Sequence, residues 1–110
     1  MKPASAVDLL SALAQPSRLA VFRHLVELEP EGANPGDIAG QLAIPANTLS
    51  FHLKALLHAG LITADHQGRF IRYRAKLSRI RTLVEFLTEN CCGGDLAKCA
   101  PAFGTLRKTR

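Results

Sequence analysis

The stretch Ala46-Asn47-Thr48-Leu49-Ser50-Phe51-His52-Leu53-Lys54-Ala55-Leu56-Leu57-His58-Ala59-Gly60-Leu61 decides how this chain is read. Leu49, Leu53, Leu56 and Leu57 recur at helical spacing and mark a face to be buried, over about residues 46 to 58. Gly60 ends the helix, because glycine takes the left-handed conformation that closes a helix without a Cβ penalty. Once the leucines turn inward, Asn47, Thr48, Ser50, Phe51, His52 and Lys54 are left on the outer surface. Amide and hydroxyl groups can pair with base edges in a DNA major groove, an aromatic ring can meet a thymine methyl, and a lysine suits a phosphate.

Immediately upstream, Asn34-Pro35-Gly36-Asp37 is a helix start: Asn34 can cap, Pro35 loses no hydrogen bond in the first turn, and Asp37 favours the positive end of the dipole. The helix it opens runs from about 35 to 42, and Ala43-Ile44-Pro45 separates it from the next. Two short helices joined by such a turn, the second with a polar outer face, form the helix-turn-helix pattern. Further upstream the spacing predicts helices over about 5 to 14 and 16 to 28, with Pro16 opening the second. Downstream, residues 61 to 64 and 69 to 73 read as strands around a turn at Asp65-His66-Gln67-Gly68. Ile80, Leu83, Val84 and Leu87 predict a last helix over about 78 to 89. The expected fold is therefore mainly α with a small β-hairpin, a winged helix-turn-helix, with residues 1–90 as the DNA-binding and dimerisation unit and 91–110 as a cysteine-containing segment and tail.

The charge balance agrees with a polyanionic partner. The chain has 14 Lys+Arg against 9 Asp+Glu, a net charge of +5. Arg69, Arg72, Arg74, Lys76, Arg79 and Arg81 follow one another without an intervening carboxylate. Arg69 at the hairpin turn is the expected phosphate or minor-groove contact, with His66, Gln67 and Arg72 as lesser candidates. No stretch approaches the ~20 apolar residues of a membrane span. The polar breaks at Asp8, Ser11 and Gln15 do not suit a secretory signal, so a cytoplasmic location is expected.

All three cysteines fall within Cys91-Cys92-Gly93-Gly94-Asp95-Leu96-Ala97-Lys98-Cys99. The glycine pair lets the backbone reverse, so three sulfurs can wrap around one soft ion. Incidental thiols, or disulfide and peroxide sensing through Cys99 and one of the pair, are the other readings of this cluster. A phosphatase-type arsenate reductase would need Cys-x5-Arg, but the residues six on from the cysteines are Ala97, Lys98 and Thr105. No Gly-rich phosphate loop or Ser-His-Asp set is present either, so no enzymatic activity is expected.

Residues 10–19 (Leu10-Ser11-Ala12-Leu13-Ala14-Gln15-Pro16-Ser17-Arg18-Leu19), the block from Thr48 to Leu61 and Gly68-Arg69-Phe70-Ile71-Arg72-Tyr73 together resemble the ArsR/SmtB family of metalloregulatory repressors over roughly residues 5 to 90. Phe51 stands where that family often has a polar residue. The resemblance implies a homodimer joined through its first and last helices, bound to double-stranded operator DNA and released when an ion binds. Asn34 and Gly36 occupy the places of the family's common Cys-x-Cys arsenic site, and the last helix offers Glu85 and Glu89 but no His or Asp for its zinc site. Cys91, Cys92 and Cys99 resemble instead the C-terminal arsenite site of a separate branch. As(III) or Sb(III) as inducer fits three thiolates arranged in a pyramid, whereas structural zinc nearly always takes four ligands. A thiol-based redox sensor or an organoarsenical-sensing repressor of the same fold is the alternative function.

Overall fold

The computed structural model describes residues 1–94; Asp95–Arg110, and with them Cys99, lie outside the described residues. Five helices and one hairpin follow in the order α1 (Pro3–Leu13), α2 (Pro16–Glu27), α3 (Pro35–Leu42), α4 (Ala46–His58), β1 (Ile62–Gln67), β2 (Phe70–Ala75) and α5 (Leu77–Thr88). The caps explain the breaks. Pro16 opens α2 while the Gln15 side chain accepts from the Arg18 N–H at 2.7 Å, and Pro35 opens α3 while Asn34 Oδ1 accepts from the Asp37 N–H at 2.8 Å. Ala43 closes α3 in the left-handed region (φ 53°), and Gly60 (φ 76°) turns the chain out of α4.

One core joins all five helices to the base of the hairpin. Leu9, Val21, Leu25, Ile38, Leu49, Leu56 and Leu61 are its fully buried side chains. Each buried leucine or isoleucine contributes about 1.5–3 kcal/mol by leaving water, so α4 is held mainly through Leu49, Leu53 and Leu56.

The hairpin is longer than its composition suggests. Asp65, His66 and Gln67 do not form the turn; they lie on β1 opposite Arg72, Ile71 and Phe70, and the turn shrinks to Gly68-Arg69. Gly68 (φ 65°) at the first central position suits a tight type II′ turn. Cross-strand pairing and an Asp65–Arg74 ion pair at 3.6 Å outweigh the poor strand propensity of these residues. At the base of the wing, Tyr73 exchanges backbone hydrogen bonds with Ala33 (2.8 and 2.9 Å). Gly32 (φ 72°) permits this approach, because a Cβ there would collide with the Tyr73 carbonyl oxygen.

Candidate nucleic-acid interface and thiol pair

Helix α4 presents two opposite faces. Leu49, Leu53 and Leu56 are buried, while Asn47, Thr48, Ser50, Phe51 and Lys54 are exposed. The exposed residues form one stripe along the helix, with the Phe51 ring 67% accessible. Asn47 Oδ1 accepts from the Thr48 N–H at 2.9 Å at the start of the helix.

His52 does not share this surface. The structure corrects the expectation: His52 is buried (6% accessible), because its position between Leu49 and Leu56 puts it on the apolar face. Arg18 on α2 reaches it, with Nη1 3.5 Å from His52 Nδ1, while Arg18 Nε donates to the Ala12 carbonyl at 2.6 Å. Arg18 therefore ties the end of α1 to the middle of α4, a positioning role not foreseen from the sequence. The leucine period was the signal that could have placed His52 correctly.

Burial, and secondarily the Arg18 charge, push the His52 pKa below its ordinary 6.5. The unfolded chain then binds the proton more readily than the folded one. Stability should be at its full value above about pH 6.5 and decline as pH falls from there toward the lowered folded value. Thermal midpoints measured across that range check this, and His52→Gln should flatten the dependence.

The run of basic residues does not act as one patch. Arg72 donates to the Glu31 and Gly32 carbonyls at 3.2 and 3.3 Å, Arg74 pairs with Asp65, and Arg79 lies against Gly60. Arg72 is thereby committed to the base of the wing. At the wing tip His66, Gln67 and Arg69 are exposed, with Gln67 Nε2 donating to Asp65 Oδ2 at 3.3 Å. Arg69 is the cation that the wing carries outward.

Past α5 the chain turns sharply at Cys91–Gly94, with Asn90, Cys92 and Gly93 all at positive φ (59°, 55° and 66°). The turn brings the Cys91 and Cys92 sulfurs to 3.7 Å, near sulfur–sulfur contact. Two thiols on neighbouring residues thus face a common point, as a soft ion requires. Among the described residues no cluster of three or more His, Cys, Asp or Glu side chains forms a metal site.

The profile of a helix-turn-helix domain matches residues 13–64. The HTH-type transcriptional regulator CmtR of Mycobacterium tuberculosis is 34% identical over 73 residues, covering 66% of this chain and 59% of that protein. The HTH-type transcriptional repressor SmtB of the same species is 34% identical over 70 residues, covering 64% and 50%. An ArsR-like transcriptional regulator from Rhodococcus, 23% identical, superposes over 94% of this chain and 92% of its own with a TM-score of 0.70, a likeness of fold. The fold is a winged helix-turn-helix. The chain spans 59% and 50% of the lengths of the two curated relatives. Both curated relatives are named as transcriptional regulators. No helix of the described residues is long and apolar enough to cross a membrane.

Proposed function

We propose that this chain is a homodimeric repressor of the ArsR/SmtB type that binds a pseudo-palindromic operator through α4 and the wing, and leaves it when As(III) or Sb(III) binds Cys91, Cys92 and Cys99. The observation that carries the inducer assignment is the 3.7 Å approach of the Cys91 and Cys92 sulfurs at the end of α5. Arsenite and antimonite accept three thiolates in a pyramid, and Cys99, seven residues beyond Cys92, supplies the third. Asn47, Thr48, Ser50, Phe51 and Lys54 read the operator, and Arg69, His66 and Gln67 meet its backbone or minor groove. Arg72 and His52 serve the scaffold instead.

The experiment is a titration of the purified protein with arsenite while operator binding is followed. Release at stoichiometric arsenite supports the proposal, and DNA binding indifferent to arsenite sinks it. The pairing of the Cys91 and Cys92 sulfurs also favours a second reading. An organic arsenical has one bond already taken by carbon and needs only two thiolates, so methylarsenite should then release DNA from a Cys99→Ser protein while arsenite does not.

Base and phosphate contacts should separate under mutation. Asn47→Ala and Ser50→Ala are expected to weaken binding chiefly to the cognate duplex, by roughly 1–3 kcal/mol for a good bidentate contact. Arg69→Ala should weaken binding to all duplexes alike and reduce the salt slope by about one unit. Fluorescence anisotropy on cognate and scrambled duplexes over a salt series measures both, and an unchanged slope for Arg69→Ala would remove it from the phosphate contacts.

A further inference from the structure

Phe70, at the tip of the wing, has the most exposed large apolar side chain among the described residues, at 70% accessible. It is placed there by the register. On β2 the odd positions Tyr73 and Ala75 turn into the core, so Phe70 shares the outward face with Arg72 and Arg74. Those two arginines are occupied by the Glu31 and Gly32 carbonyls and by Asp65. Phe70 is paired across the hairpin with Gln67. The turn beside it stands clear of the body, since a Cβ on Gly68 would have no neighbour within 4 Å.

A single exposed phenylalanine is ordinary on a protein surface. This one adjoins Arg69, and the carboxylate of the hairpin, Asp65, is already engaged by Arg74 and Gln67. The tip therefore offers a cation and an uncovered ring side by side, with no opposing negative charge left free. That pairing suits the minor groove of duplex DNA, where arginine meets the negative potential and apolar side chains wedge between base pairs. An acidic protein surface would satisfy Arg69 but leave the ring without a slot of stacked planes.

We infer that Phe70 is a minor-groove wedge that partly unstacks one base step and kinks the operator where the wing of each protomer lands. This rests on the DNA-binding reading given above. A flexible pyrimidine–purine step is the expected point of entry, because it unstacks at least cost.

The test uses the full chain and a duplex selected by it from a random-sequence pool, end-labelled for energy transfer and carrying 2-aminopurine at the steps facing the wing. Wild type should bend the duplex by about 20–90° and brighten one 2-aminopurine position. Phe70→Ala should straighten the duplex, quench that signal and bind roughly tenfold more weakly. Phe70→Leu should keep most of the bend, and Arg69→Ala should lose affinity while keeping it. A Phe70→Ala complex bent like wild type, or a wild-type complex that is straight, overturns the wedge and leaves DNA binding standing. Failure of the wild type to select any duplex overturns the DNA-binding reading itself, and the wedge with it.

Discussion

Leu87→Glu should give a folded monomer that binds operator on the order of 10²–10⁴-fold more weakly than wild type, because the second half-site contact is then no longer intramolecular. The reason lies on the outer faces of the first and last helices. Val7 and Leu10 on α1 are 59% and 45% accessible, and Val84 and Leu87 on α5 are 41% and 57% accessible. Four aliphatic side chains on two terminal helices form an uncovered apolar surface, of the kind that pairs with a second copy. Leu83 on the same helix is buried at 5% and Leu13 on α1 is half-buried, so Leu83→Glu would damage the core and say nothing about assembly. Leu87→Glu avoids that confusion. Sedimentation equilibrium at micromolar concentration checks it, alongside a thermal midpoint close to that of wild type. A Leu87→Glu chain that remains dimeric would remove α5 from the interface, and a monomeric wild type would remove the dimer.

Much of the fold was legible because local chemistry and core packing agree. Asn34, Pro35, Pro16 and Gly60 act where their side chains and backbone preferences say they should, and the leucines of α4 are buried as their period requires. The misreadings arose where long-range pairing decides. Asp65, His66 and Gln67 look like a turn one by one, yet become strand once Arg72, Ile71 and Phe70 lie opposite them. The basic run looked like one footprint because sequence shows charges but not their partners; Arg72 is spent on carbonyls 40 and 41 residues away. His52 was assigned by residue type when its position on the helix was the better guide. The thiol pair was legible as a pair, whereas the turn that brings the sulfurs together depends on the positive φ angles at Asn90, Cys92 and Gly93 and not on composition alone.

Replacing Cys91 and Cys92 together by serine should leave operator binding within about twofold of wild type and abolish release by arsenite across the range that frees the wild-type operator. The first half follows from position. The turn at Cys91–Gly94 comes after α5, whereas the proposed reading residues lie on α4 and at the tip of the β1–β2 hairpin. The second half follows from ligand chemistry, because a serine hydroxyl is a poor substitute for thiolate at a soft ion. Cys99→Ser alone tests the third ligand, and under the arsenite reading it should also block release. Under the arsenite proposal, coupling to DNA would run through α5: drawing a third sulfur onto Cys91 and Cys92 would reorganise the chain directly beyond Thr88, one residue past Leu87 of the proposed dimer surface. In the proposed dimer a change in how two α5 helices meet would alter the separation of the two α4 helices, which operator binding requires to match successive major grooves about one DNA turn apart. Linkage then requires that operator DNA weaken arsenite binding by the same factor by which arsenite weakens DNA binding, typically about 1–3 kcal/mol. Arsenite affinity measured with and without operator gives that factor independently of the release titration. Two unequal factors would show that the thiols and the DNA surface are not in one equilibrium, and a Cys91→Ser, Cys92→Ser protein still released at the wild-type arsenite concentration would place the sensor elsewhere.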